Sequence, residues 1–355
     1  MGNFCYMNEG KNFLFCKILR RKETFSLFNS FNSTTFVYKS VYKKMAGLNI
    51  GAQPFVKWPG TKSQHLHILT QALPADFSET PNVTYIEPFV GGGALLFHML
   101  QTYPNIRRAV INDNNLDLIR TYNTVRDRAK ELVAELKKIQ KEFLPLDEEE
   151  RHEYFNEMRE EFNARQSDGL RHSALFIFLN KTSNANYRIN AEGKFNGAYN
   201  HLLYPAICDE RIIHADSKLL QRVTIIHGDY EKTYSEACGN TFFFLDPPYR
   251  PTGKKRYNAD FDDKEQIRLK KYCDLLSYRH FQWMLTNSDG KCQDPDDTFM
   301  EQLYSNYNVD RIWSRQAIVA KPEKREKLSE LLVRNFQHEI LSLRDVHCRQ
   351  LSLAF

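Results

Sequence analysis

Val83-Thr84-Tyr85-Ile86-Glu87-Pro88-Phe89-Val90-Gly91-Gly92-Gly93-Ala94-Leu95 is the stretch that decides the fold. Its β-branched and aromatic start predicts a strand over Val83–Glu87, its glycines a tight turn, and Ala94–Gln101 the beginning of a helix. Ala109–Asn112 reads as the next strand, so the segment is a βαβ unit with a parallel pair and a right-handed crossover. Three residues without Cβ atoms let a ligand approach the backbone, and the first N–H groups of the helix are available donors. A cofactor turn and a purely structural glycine turn both satisfy this pattern. The dinucleotide fingerprint is excluded, because Leu96 stands where its third glycine belongs.

Working outward, further strands are predicted at Val223–His227, Thr241–Leu245, Gln282–Leu285 and Asp310–Trp313, with helical segments between most of them. The fold class expected is α/β, a Rossmann-like, doubly wound and mostly parallel sheet. About 110 residues separate the second strand from the third, too many for a simple crossover. Within them Asp117–Phe143 and Asp147–Asn163 read as helices and His172–Asn180 carries an apolar face. Tyr187–Asn190 and Lys194–Tyr199 flank Ala191-Glu192-Gly193 as a hairpin would. The expected organisation is one domain from 45–139 and 222–355, an inserted helical and hairpin module at 140–221, and a basic, disordered extension at 1–44. Met45 is an alternative start of the protein.

The net charge of +5 does not belong to the folded body: residues 1–44 carry +6 and the remainder −1. Overall basicity is therefore no argument for an anionic partner, which must rest on local patches. No apolar run approaches the ~20 residues of a membrane span. Seven scattered cysteines, without a CxxC pair or a metal-ligand spacing, fit a reduced, cytoplasmic setting with no metal.

Acids stand at the ends of three further strands, on the edge where doubly wound sheets bind ligands. Asp113, twenty residues beyond Gly93, can accept from ribose hydroxyls, or it, Asn114 or Asn115 can cap the next helix. Asp229 can accept from the amino group of a cofactor adenine, or cap the turn that follows it. The fourth strand end is the most informative: Phe242-Phe243-Phe244-Leu245 runs into Asp246-Pro247-Pro248-Tyr249. Each proline fixes φ and lacks an N–H, so the loop holds its carbonyls in place. The Asp246 carboxylate and the Pro247 carbonyl can accept both hydrogens of an amino group while Tyr249 stacks on a flat ring.

With these residues in view, the chain resembles the Dam-type, D12-class adenine-N6 methyltransferases of DNA. Lys57-Trp58-Pro59-Gly60-Thr61-Lys62 is similar to their K-W-x-G-G-K motif, with Thr61 in place of the second glycine. Phe89-Val90-Gly91-Gly92-Gly93 matches their glycine motif and Asp246-Pro247-Pro248-Tyr249 their catalytic tetrapeptide, and the resemblance spans roughly 54–336. Leu179-Asn180-Lys181-Thr182 and Tyr187-Arg188-Ile189-Asn190 through Phe195-Asn196-Gly197 resemble the recognition hairpin, with Ser183-Asn184-Ala185-Asn186 replacing the commoner Cys-Phe-Asn-Gly. The resemblance implies S-adenosyl-L-methionine as cofactor, double-stranded DNA as substrate and a GATC target, and it makes 140–221 the target-recognition region. A cognate restriction endonuclease acting separately is an implied partner.

On this basis the catalytic set is Asp246, Pro247, Pro248 and Tyr249, and the cofactor set Trp58, Lys62, Glu87, Phe89, Gly91, Gly93, Asp113, Asp229 and Asp246. Lys181, Arg188, Asn190 and Lys194 on the hairpin, with Arg250, Lys254, Lys255 and Arg256 after the catalytic loop, form the DNA-binding set; clusters of this kind are also common on plain solvated surface. Cytosine-N4 methylation is the nearest alternative activity, since a similar tetrapeptide serves either exocyclic amine. A non-catalytic DNA-binding module retaining the fold is the alternative outside enzymes.

Overall fold

The computed structural model describes residues 51–184, 187–250, 261–292, 294–313 and 329–337. Among them the elements run α1 (Leu66–Gln71), β1 (Val83–Glu87), α2 (Ala94–Thr102), β2 (Ile106–Asp113), α3 (Leu116–Asp127), α4 (Ala129–Phe143), α5 (Glu148–Ala164), α6 (Gly169–Thr182) and α7 (Glu210–Leu220). There follow β3 (Val223–His227), β4 (Thr241–Leu245), α8 (Asp263–Tyr278), β5 (Gln282–Ser288), α9 (Phe299–Leu303), β6 (Asn308–Trp313) and β7 (Ser329–Arg334). The extension at 1–44 lies outside the described residues.

The described strands form a seven-stranded sheet of order β3-β2-β1-β4-β5-β7-β6. All neighbours are parallel except β7, which runs antiparallel to both β5 and β6. Strand order reverses between β1 and β4, and there the ends of the first and fourth strands lie side by side. Both strands are buried along their whole length, as in a sheet covered on two sides, and Phe242–Leu245 of β4 supplies an unbroken apolar run. Alternate residues divide accordingly: Tyr85, Phe242 and Phe244 enter one core, Ile86, Phe243 and Leu245 the other.

Two expectations are amended. The helix expected over Asp117–Phe143 is two helices, because Arg128 leaves helical backbone (φ −132°, ψ 36°) and serves as the end of α3 and the start of α4. Neither Gly nor Pro marks that break, so the sequence carries no local signal of it. β7 also adds a strand, from a short Leu331-Leu332-Val333 run too brief for periodicity to separate strand from helix. Elsewhere local chemistry explains the ends: Asn115 caps α3 through Leu118 N, and Asp147 with Glu150 forms a capping box for α5.

The helices between β2 and β3 continue the core on one face of the sheet, with Tyr122, Leu136, Phe143, Phe162 and Phe178 in a single cluster. One buried acid organises their inner end. Asp117 accepts from Arg165 (3.0 and 3.2 Å), His172 Nε2 (2.9 Å) and Tyr187 Oη (3.1 Å). Burial pushes its carboxyl up, but the His172 and Arg165 hydrogen bonds and charges outweigh burial and hold it at about 2.

Asp117→Asn should cost about 2–4 kcal/mol, since it leaves buried donors without their charged acceptor. The depressed carboxyl makes a stabilising contribution that is complete above its unfolded value of about 4 and lost as pH falls through its folded value. Urea unfolding should therefore show the parent losing stability between about pH 4 and 2 more steeply than Asp117→Asn. Equal unfolding midpoints at neutral pH would remove Asp117 from this role.

Candidate active site

The crevice at the reversal point encloses about 740 Å³ and is lined by the motif residues of three separate stretches, from Trp58–Lys62, Glu87–Leu95 and Asp246–Tyr249. The glycine turn is shaped by close neighbours. Gly91 and Gly93 hold φ of 49° and 72°, in the left-handed region that side chains disfavour. A Cβ on Gly91 would lie 2.7 Å from Trp58 Cδ1, and one on Gly93 2.5 Å from Tyr122 Oη.

Asp113 ties this turn to β2: its Oδ2 accepts from Gly91 N (3.1 Å) and its Oδ1 from Asn115 N (2.9 Å). Burial raises its carboxyl while these amides oppose the shift. The capping role itself falls to Asn115, and Asp113 stays on the cavity wall. Asp229 also lines the cavity, caps Glu231 N (3.0 Å), and meets Arg268 through two 2.8 Å contacts; that pairing holds its carboxyl below the ordinary range. Beside it Phe89 leans on Tyr230 (5.1 Å) and meets Phe261 edge-on (6.0 Å). Phe89, Tyr230 and Phe261 give the cavity wall a flat aromatic surface.

At the other end lies a buried charge cluster. Asp246 Oδ1 accepts from Lys62 Nζ (2.8 Å) and Thr286 Oγ1 (2.7 Å), leaving Oδ2 for another donor. Burial raises the Asp246 carboxyl; Lys62 and Thr286 pull it back. Glu87 is almost fully enclosed and accepts from Tyr85 Oη (2.6 Å); burial pushes it to about 8, with the Asp246 charge adding to the shift. Tyr249 keeps its proton, its value raised by burial and by the charges of Asp246 and Glu330, and donates to Glu330 Oε2 (2.5 Å). Lys62 Nζ sits 4.7 Å from the centre of the Tyr249 ring.

Trp58 links this region to the hairpin, stacking on Tyr187 at 5.4 Å and 15°. The hairpin forms through an antiparallel bridge between Ile189 and Phe195, and Asn190 Oδ1 closes its turn by accepting from Glu192 N and Lys194 N (3.0 Å each). Arg188 and Lys194 are both exposed, Lys194 lying near Glu192 (3.4 Å). Lys181 is lowered to about 8 by burial, with Lys57 nearby. Arg250 is held between Asp263 (2.6 Å) and Asp297 (2.5 Å), over the Phe299 ring (4.4 Å), which anchors the chain leaving Tyr249. Lys254, Lys255 and Arg256 lie outside the described residues.

Sequence reasoning missed Thr286, Arg268, Glu330, His65 and Tyr122. His65 lies three residues beyond Lys62 and meets Glu330 (3.6 Å); the others reach the site from elements whose position the chain order does not reveal. Among the described residues no group of three or more His, Cys, Asp or Glu side chains could hold a metal ion, and no helix is long and apolar enough to cross a membrane.

Sheet order and reversal point together define a Rossmann-like, doubly wound α/β fold with acids at its strand ends. Residues 58–318 match the D12 class N6 adenine-specific DNA methyltransferases, and the chain belongs to that family. It is 38% identical to the Type II methyltransferase M.MjaIII of Methanocaldococcus jannaschii over 80% of this chain and 99% of that protein. It is 29% identical to the Type II methyltransferase M1.LlaDCHI of Lactococcus lactis subsp. cremoris, covering 81% and 96%, and 26% identical to the DNA adenine methylase of Escherichia coli K12, covering 78% and 93%. The protein is thus an adenine-specific DNA methyltransferase, its substrates DNA and a methyl donor.

Asp113→Ala should raise the KM for the methyl donor at least tenfold, matching loss of a charged hydrogen bond of about 1.5–3 kcal/mol, with kcat nearly unchanged. An unaltered donor KM in steady-state methylation would leave Asp113 with the glycine turn alone.

Proposed function

We propose that the donor is S-adenosyl-L-methionine, bound along the crevice with its adenosyl part between Asp113 and Asp229, and that the target adenine is flipped from double-stranded DNA to meet Asp246-Pro247-Pro248-Tyr249. The observation that carries this reading is the Asp246–Tyr249 loop facing the glycine turn across one cavity. The fit of the cofactor rests on the aromatic wall of Phe89, Tyr230 and Phe261, on the two acids, and on a turn whose missing Cβ atoms let a ligand lie against backbone. When bound, that cofactor supplies an electrophilic methyl group on a sulfonium centre.

The protein's own residues then act on the base. An adenine N6 lone pair is delocalised into its ring and poorly nucleophilic. Asp246 Oδ2 and the Pro247 carbonyl accept its two hydrogens, which favours a tetrahedral nitrogen as attack begins. Held by these two acceptors, N6 would be aligned with the methyl carbon of the bound donor and, once alkylated, would release one of its protons to water. A base within a duplex cannot reach the aligned position, so flipping must come first. Tyr249 offsets part of the lost stacking, on the scale of ~1–3 kcal/mol. Lys62, Glu87 and Trp58 shape the wall around these groups.

The region 140–221 is proposed to read the DNA through Lys181, Arg188, Asn190 and Lys194, joined by Arg250, Lys254, Lys255 and Arg256, which follow the catalytic loop in the sequence. The exposed Arg188 is free to meet phosphate or base edges, as such contacts require. A GATC target, a separately acting cognate endonuclease and a cytoplasmic setting complete the reading.

Asp246→Ala should lower turnover at least ~10²-fold with donor binding kept, the effect expected from losing one preorganised acceptor. Tyr249→Phe should retain clearly more activity than Tyr249→Ala, because the ring does the stacking. Normal single-turnover rates in Asp246→Ala would overturn the mechanism, and equal losses in the two Tyr249 variants would overturn the stacking role.

Arg188→Ala should either relax one base pair of the target by about 1–3 kcal/mol or weaken all sequences alike with a shallower salt dependence. Methylation of a panel of single-substituted duplexes at two salt concentrations distinguishes these results. If selectivity, affinity and salt slope are all those of the parent, Arg188 does not touch DNA.

A further inference from the structure

Glu330 is not on the cavity wall, yet three groups around the catalytic loop converge on it. Tyr249 Oη donates to its Oε2 at 2.5 Å, Lys62 Nζ lies 3.9 Å from the same atom, and His65 Nδ1 lies 3.6 Å from it. Lys62 in turn is 2.8 Å from Asp246, so one ammonium group is shared by two carboxylates, both largely withdrawn from solvent. Strand direction explains how Glu330 gets there. β7 is antiparallel to β5 and pairs Glu330 with Ser288, so its first residues lie where the parallel strands end. The parallel strands deliver acids from their carboxyl ends, whereas β7 delivers one from its amino end.

We infer that Glu330 is a positioning residue for methyl transfer, holding the Tyr249 hydroxyl and sharing Lys62 so that the ring and the Asp246 carboxylate keep fixed places against the flipped adenine. Two consequences follow from charge and geometry. Lys62 is held between two carboxylates rather than one, so its place against Asp246 is fixed from both sides. The Tyr249 ring, anchored at its hydroxyl and faced by Lys62, has little freedom to turn away from a stacked base. The inference rests on the proposal that Asp246 and Tyr249 meet the target base.

Glu330→Gln, Tyr249→Phe and the double variant, made in the full-length chain, provide the test. In complexes with duplex DNA carrying 2-aminopurine at the target position and no methyl donor, the fluorescence of the flipped base reports how the ring contacts it. Each single variant should shift that signal in the same direction, and the double variant should shift it no further than the larger single effect. With the donor added, Glu330→Gln should lower the single-turnover rate at least tenfold while the donor KM stays within about threefold and the thermal midpoint is that of the parent.

A parent-like signal in Glu330→Gln, or single effects that add in the double variant, would overturn the inference. If Glu330→Gln does not fold, Glu330→Asp takes its place, and a parent-like signal there together with a parent-like rate overturns the inference equally. Asp246→Ala is the control for the underlying proposal: full turnover in that variant would sink the catalytic assignment whatever Glu330 does.

Discussion

The parallel pairing of β1 with β4 is the constraint on which the site depends. Tyr85 lies beside Phe242 and Ile86 beside Phe243, so two segments more than 150 residues apart end at the same edge. A one-residue slip would exchange the two faces of β4, moving Phe242 and Phe244 out of one core and Phe243 and Leu245 out of the other. Four large apolar side chains thus hold the register that puts Asp246 across from Gly91. The Asp246–Tyr249 loop is placed by burial behind it, and the two prolines then limit how far it can move.

The same economy governs the wall shared with the hairpin. Trp58 packs close against Gly91 on one side and stacks on Tyr187 on the other, and Tyr187 is tied through its hydroxyl to Asp117. Lys57, next in the chain, exchanges hydrogen bonds with Asn180 near the end of α6 (2.7 and 2.8 Å). The segment carrying Lys62 is therefore clamped between the glycine turn and the helices that bear the hairpin. A rigid connection of this kind suits a reaction in which base and donor must meet in line.

Charge at the site follows one rule: buried acids are paired, hydrogen-bonded or pushed toward the neutral form. Asp246 takes Lys62 and Thr286, whereas Glu87 has, among the described residues, only the Tyr85 hydroxyl and is raised to about 8. Two carboxyls near each other, Asp246 and Glu87, thus sit in opposite circumstances, one with a cation at hydrogen-bond distance and one without.

Sequence alone determined the βαβ start, the parallel strands at Val83–Glu87, Val223–His227 and Thr241–Leu245, and the motif residues of the cavity, because each depends on short-range pattern: apolar runs, glycine turns and a diproline loop. The family was legible for the same reason, from three motifs in a characteristic order. Tertiary structure decided the rest. The break at Arg128, the antiparallel β7, and the contacts that Glu330, Thr286, Arg268 and Tyr122 make from behind with residues of the crevice wall have no local signature, since each follows from how distant elements pack. Exposed and paired cations also look alike in a sequence. Arg188 and Arg250 were read as one set, yet Arg250 is held between two aspartates and Arg188 is exposed, a difference set by which acids the fold brings within reach.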